Sequence, residues 1–290
     1  NIIDQGLVHL PTYRELFYRW ERQQWRAQEI DFTPDRLQFE AMSPQARQDR
    51  MYGLSAFFRG EACVTDTLGP YITAMPDEEM RLFLTTQLSD EARHTVFFAR
   101  FFREVLGIER ETLEDSLEVT HQYMNSHLQY ILIEALSEVA ERIRKEPAKI
   151  AHLVEGITLY HVIVEGAMAL TGQRNILDLY RQNNLFPAFR GGFTAVARDE
   201  SRHVVFGVKF LREMIQRDAD NAKVIQAAVD KYAPVALKAL TPPDESIAQM
   251  LAMQADPWTS PRYAQDSLRK KLKVVGLSME LPHVPPPPVF

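Results

Sequence analysis

The chain has 290 residues, with 33 Lys+Arg against 39 Asp+Glu and a net charge of −6. No Lys/Arg-rich tract is present to follow a phosphate backbone, which argues against a nucleic-acid partner. The length suffices for a full core, the apolar runs read as too short and too charged to span a bilayer, and the single Cys63 excludes an internal disulfide and fits a reducing, cytoplasmic setting. The opening NIIDQGLVHLPTYREL lacks a basic segment ahead of an apolar core, so no signal peptide is expected.

Nearly every stretch reads as helix. Residues 12–28 are amphipathic, and IDFTPD at 30–35 breaks them. Ser43-Pro44 opens a long helix through Gly69-Pro70, with Ser43 as N-cap and Pro44 at the first helical position. Pro76-Asp77 opens the next, which reaches Leu106-Gly107, where Gly supplies a left-handed cap. A fourth helix covers 111–145, and Glu146-Pro147 starts a fifth that reaches 182. A sixth starts between 184 and 190, and a seventh over 219–240 is ended by Thr241-Pro242-Pro243. Residues 261–276 can form one more helix, and the end LPHVPPPPVF reads as extended or disordered. With no period-2 strand, no hairpin dipeptide and no glycine-rich phosphate loop, the pattern is that of an all-α antiparallel bundle.

Two of these helices carry one stretch in duplicate: DEARHTVFFARFFREV at 90–105 and DESRHVVFGVKFLREM at 199–214. A carboxylate and an imidazole three residues apart share a helix face and can hold one ion. Glu91/His94 and Glu200/His203 are therefore two half-sites of one kind. One such pair arises easily by chance; two in matching context, each followed by Phe and Arg-Glu at matched positions, do not. A bundle with two such helices takes one further Glu from each of two others. Glu61, in FFRGEACVTDT, and Glu165, in LYHVIVEGAMAL, lie in apolar surroundings where an unpaired carboxylate would be costly. These four carboxylates would balance two divalent ions. Oxygen and nitrogen ligation without thiolate suits iron or manganese rather than structural zinc, and a dimetal carboxylate site of this kind normally activates O2. Asp90 and Asp199 are expected to orient the imidazole of the opposite half-site, Asp199 that of His94 and Asp90 that of His203.

Over residues 20–215 the sequence resembles the ribonucleotide reductase small subunit, and more closely its relatives, the ligand-binding oxidases. Radical-bearing reductase subunits have a tyrosine one turn after the first histidine; here that position is Phe98, which cannot store a tyrosyl radical. Phenylalanine also occurs there in manganese–iron reductase subunits. GEACVTD at 60–66 and YHVIVEGAMALTG at 160–172 are similar to the oxidase patterns in which a valine becomes ether-linked to a tyrosine. The matching residues are Val64 and Tyr160. Val64 shares the face of Glu61, but Tyr160, five residues before Glu165, would lie roughly 140° away on a regular helix. A π-bulge between Tyr160 and Glu165 is therefore predicted. Forming the ether removes two electrons, and two divalent metals becoming trivalent supply two more, which together reduce one O2.

The helix pattern weakens beyond 241, so residues 1–240 form the bundle, ferritin-like by the resemblance, and 241–290 a partly helical C-terminal extension. The resemblance further implies manganese at Glu61, Glu91 and His94 and iron at Glu165, Glu200 and His203, a diiron pair being the alternative. A long-chain fatty acid, or a similar hydrophobic ligand, would reach the metals, and the reaction would be an O2-dependent, two-electron oxidation by a homodimer. Trp25 matches the reductase position that relays electrons through Asp199 to His94. His161 is read as a core or neighbouring residue rather than a ligand, and Cys63 as structural. The alternatives are a manganese–iron reductase small subunit and, from a different class, iron storage of the ferritin type.

Overall fold

The computed structural model describes residues 10–289, and no strand occurs among them. The segment read for a signal sequence lies largely in residues 1–9, outside the described residues. Helix α1 (Tyr13–Arg22) starts in a capping box, Thr12 with Glu15. It ends earlier than expected: the chain leaves the helix at Gln23 and makes a 3₁₀ turn, Ala27–Glu29. IDFTPD is both a break and a beginning, because Pro34 sits in the first turn of α2 (Thr33–Glu40).

Helix α3 (Pro44–Ala74) is capped by Ser43 as expected, but it runs through Pro70 to Ala74 rather than stopping at Gly69-Pro70. Asp77 caps α4 (Glu78–Glu104), and Gly107, at φ 70°, lets the Ile108 N–H return to the Phe102 carbonyl at 3.0 Å. The predicted fourth helix divides into α5 (Leu113–His121) and α6, over 126–145, because Asn125 starts a new helix by accepting from the Leu128 N–H. Helix α6 is π-helical over Tyr130–Ala135.

Helix α7 (Ile150–Gln182) is π-helical over Thr158–Ala169, the stretch in which the bulge was predicted. It corrects the reading that no apolar run was long enough for a bilayer: α7 meets that length and composition, but 89% of its apolar window is buried inside the bundle. Its apolarity on all sides serves the core. Helix α8 (Pro187–Arg217) begins on the buried carboxylate of Asp35, which accepts from the N–H groups of Ala188 (3.0 Å) and Phe189 (2.7 Å) and so ties α2 to the start of α8. After α9 (Asn221–Ala239) comes α10 (Asp244–Ala252), which the sequence pattern did not show, and then α11 (Thr259–Val275), stopped by Gly276 at φ 102°.

Helices α3 and α4 pack along one another, α7 packs on α8, and α9 and α11 cover the π-helical part of α7. One part of the core mixes aliphatic and aromatic side chains, around Leu68, Ile131, Val162 and Phe206. The other is a phenylalanine block, with Phe58, Phe98, Phe102 and Phe189 all fully buried. Phe98, the residue in the reductase tyrosine position, lies inside that block.

Candidate metal centre

Four helices each present acid to one buried volume: Glu61 from α3, Glu91 from α4, Glu165 from α7 and Glu200 from α8. His94 and His203 join them one turn after Glu91 and Glu200. Ligand-capable atoms of Glu61, Glu91, His94 and Glu200 lie within 4.8 Å of one another, as do those of Glu91, Glu165, Glu200 and His203. Glu91 and Glu200 belong to both groups, which suits carboxylates that span two ions.

The donor set fits divalent cations. Glu91, Glu165 and Glu200 each have one buried oxygen without a hydrogen-bond partner, and so does His203 Nδ1. Unsatisfied buried acceptors are costly, and here several point to one place. The Nδ1 of His94 stands 3.1 Å from Glu61 and 3.4 Å from both Glu91 and Glu200. The Nδ1 of His203 stands 3.2 Å from Glu91 and 3.4 Å from Glu165.

Metal-free, the site holds protons. Burial raises Glu61 and Glu165 well above the ordinary carboxylate range, against the pull of their histidines. Burial would do the same to Glu91, but His203 and His94 outweigh it and hold this carboxyl well below that range. Burial alone would lower both imidazoles; Glu61 and Asp199 raise His94 instead, and Asp90 and Glu165 raise His203.

Each imidazole turns its other nitrogen outward. His94 Nε2 lies 3.3 Å from Asp199, and His203 Nε2 lies 3.1 Å from Asp90, the crosswise arrangement expected from the repeat. Trp25 donates its indole N–H to Asp199 at 2.7 Å, and its ring stacks on His94 with centroids 6.3 Å apart.

Several residues escaped the sequence reading. Arg202 donates to Asp90 at 2.8 Å and to Asp199 at 2.7 Å, and Arg93 pairs with Asp90 and lies 3.8 Å from Asp199. Two carboxylates and two guanidiniums thus close a neutral ring behind the histidines. The signal was available, since Arg occupies the same place in both DExRH copies. Trp20 donates to Asp90 at 2.9 Å, a contact that no motif announced.

The π-helical stretch brings Tyr160 and Glu165 to one cavity of about 280 Å³, with Val64 in its wall. Phe57, Leu128, Leu132 and Met168 make that cavity apolar, and Glu61, Glu91, Glu165 and Glu200 form its acidic end. The Tyr160 hydroxyl donates to Glu91 at 2.8 Å and accepts from Gln87 Nε2 at 3.0 Å. Burial, then the charges of Glu165 and Glu91, push its phenol well above the usual value, so it stays neutral. Gln87 also donates to Glu165 at 3.1 Å, and its carbonyl oxygen lies 3.0 Å from His161 Nε2. Burial drops His161 to about 3, which keeps it a neutral donor to Gln87. His161 stands behind Gln87 and outside both ligand groups.

A helical bundle closed around paired carboxylate–histidine clusters defines a ferritin-like dimetal carboxylate protein. The chain belongs to the ribonucleotide reductase small chain family, whose pattern matches residues 8–238. Solved structures of R2-like ligand-binding oxidase share its fold. A valine-to-isoleucine variant with an anaerobically reconstituted Mn/Fe cofactor is 24% identical, aligns over 91% of this chain and 93% of that chain, and has a TM-score of 0.78. A tyrosine-to-phenylalanine variant with an aerobically reconstituted Mn/Fe cofactor is 23% identical over the same shares, also at 0.78. At these identities the likeness carries the fold.

Proposed function

We propose that this protein is an O2-activating oxidase of the ligand-binding type. It would hold one manganese and one iron ion, or a diiron pair, and oxidise a long-chain, fatty-acid-like ligand by two electrons. The observation that carries this reading is the apolar cavity that ends on unpartnered carboxylate oxygens, with Tyr160 and Val64 both in its wall. Glu61, Glu91 and His94 would hold one ion and Glu165, Glu200 and His203 the other, with Glu91 and Glu200 facing both. When bound, such a pair supplies electrons and a place for O2 to be reduced.

The chain's own groups prepare that chemistry. With an ion bound, Asp90 and Asp199 would fix the imidazole tautomers so that each Nδ1 lone pair faces inward. Gln87 and Glu91 hold the Tyr160 hydroxyl at the acidic end of the cavity. The apolar wall excludes water and accepts an alkyl chain, whose carboxylate would add the negative charge that oxidised ions require. Joining the Tyr160 oxygen to the Val64 Cβ removes one hydrogen from each residue. We also propose a homodimer in the cytoplasm, with residues 1–240 as the dimetal unit and 241–290 as its extension.

Peptide mass spectrometry after metal loading, with and without air, tests this reading. A Val64 peptide joined to a Tyr160 peptide, lighter by two hydrogens and formed only in air, is the expected product. Two unmodified peptides from a fully loaded, air-exposed protein would overturn the oxidase reading. They would favour a manganese–iron reductase small subunit, for which the chain of hydrogen bonds Trp25–Asp199–His94 speaks.

A further inference from the structure

We propose that Trp20 is a second electron-relay residue, serving the His203 half-site as Trp25 would serve the His94 half-site. The inference rests on the redox-active pair proposed above. Trp20 lies in the last turn of α1 and is half-buried, so part of the residue reaches the surface. That N–H donates to Oδ1 of the fully buried Asp90 at 2.9 Å, and Asp90 Oδ2 lies 3.1 Å from His203 Nε2. The path from surface to ligand is one indole, one carboxylate and one imidazole, the same sequence of groups as Trp25, Asp199 and His94.

Two observations bear on traffic through Trp20, the first of them shared with the Trp25 path. Arg93 and Arg202 keep the aspartate pair neutralised, so an electron can pass without a proton having to move. The Arg93 guanidinium also lies over the Trp25 ring, 5.3 Å from its centroid, and a cation there opposes oxidation of that ring. Among the described residues Trp20 has Phe17 as its ring neighbour, at 5.8 Å, and no cation–ring contact is found for it.

In each transfer a one-electron donor, a reduced flavin or iron–sulfur protein, is oxidised by one electron. Glu165, Glu200 and His203 would hold the trivalent ion that accepts this electron and so becomes divalent. Trp20 ends as it began, no bond is made or broken, and the indole and imidazole N–H groups keep their protons. Trp20 touches no reacting atom and acts through Asp90 and His203.

The test uses full-length protein loaded with metal and oxidised in air, as wild type, Trp20→Phe, Trp25→Phe and the double variant. Reduction by methyl viologen radical is followed by stopped-flow absorbance. Metal content and the His203 ¹⁵N shifts of the metal-free protein are measured alongside. Trp20→Phe should slow reduction by about tenfold, the scale typical of outer-sphere changes. The double variant should be slower still, with metal content and His203 shifts unchanged. Wild-type reduction rates in Trp20→Phe, alone and on the Trp25→Phe background, would overturn the relay. So would slowing that merely follows lost metal or changed His203 ¹⁵N shifts, since that marks a positional role. If wild-type protein binds metal but its centre never oxidises in air, the oxidase reading fails first, and the relay falls with it.

Discussion

Arg202 is buried between two aspartates and, with Arg93, balances their charge. Arg202→Met keeps most of the side-chain volume but strands that charge, and breaking a buried pair in this way costs about 3–5 kcal/mol. Urea unfolding of the metal-free protein should show a loss of that size; a loss within about 0.5 kcal/mol, as for an ordinary surface substitution, would contradict the ring. Protons give a second expectation. Glu61, Glu165, His94 and His203 all hold their protons more tightly folded than unfolded. For the histidines, the resulting stability is complete below about pH 6.5 and is lost as pH rises through the folded values. The raised carboxyls act in the same direction. Metals must expel these protons, so apparent affinity should climb with pH and binding should release protons. Calorimetry in two buffers of different ionisation enthalpy measures that release, and none at neutral pH would refute it.

The ligand-type residues were legible because carboxylate, imidazole and their spacing recur as one motif. Trp20 and Gln87 were not, because each reaches its partners across the bundle, Trp20 to Asp90 and Gln87 to Tyr160 and Glu165, where a linear pattern shows nothing.

At the scale of elements, α7 is the one whose geometry departs from a regular helix where chemistry needs it. The mismatch between Tyr160 and Glu165 was readable from angular arithmetic alone, and Thr158–Ala169 resolves it by underwinding. The second π-helical turn, Tyr130–Ala135, had no chemical marker and went unseen. Helix α10 was missed for another reason: it is short, and none of its residues is buried, so it carries little core periodicity. Gly207 on α8 marks how tightly α7 is seated. A Cβ there would stand 2.3 Å from the Cβ of His161, too close to be absorbed by a flexible tip. Gly207→Ala should therefore cost about 1–3 kcal/mol by overpacking and displace His161 from Gln87. Thermal unfolding reads the first effect and the yield of joined Val64–Tyr160 peptide the second; wild-type values for both would show that α7 has more freedom than its packing indicates.

For the whole molecule, two independent supports hold the bundle. The phenylalanine block around Phe98 and Phe189 needs no metal, whereas the acidic centre does. Chelation should leave a folded, helical protein of lower stability. Free metal at a hundred times its Kd should restore about 2.7 kcal/mol per site. Scanning calorimetry with and without chelator checks this, and outright unfolding on metal removal would mean that the block cannot sustain the fold alone.

The carboxylates and the imidazoles face different ways. Glu61, Glu91, Glu165 and Glu200 line the apolar cavity, while His94 and His203 back onto the aspartate–arginine ring and its tryptophans. On the function proposed above, an apolar ligand would arrive on one side and electrons on the other. A ligand seated at the acidic end would not touch the tryptophans behind the histidines, because none of them lines the cavity. The centre would then act as an insulated junction, crossed only through the ions that these carboxylates and imidazoles would hold.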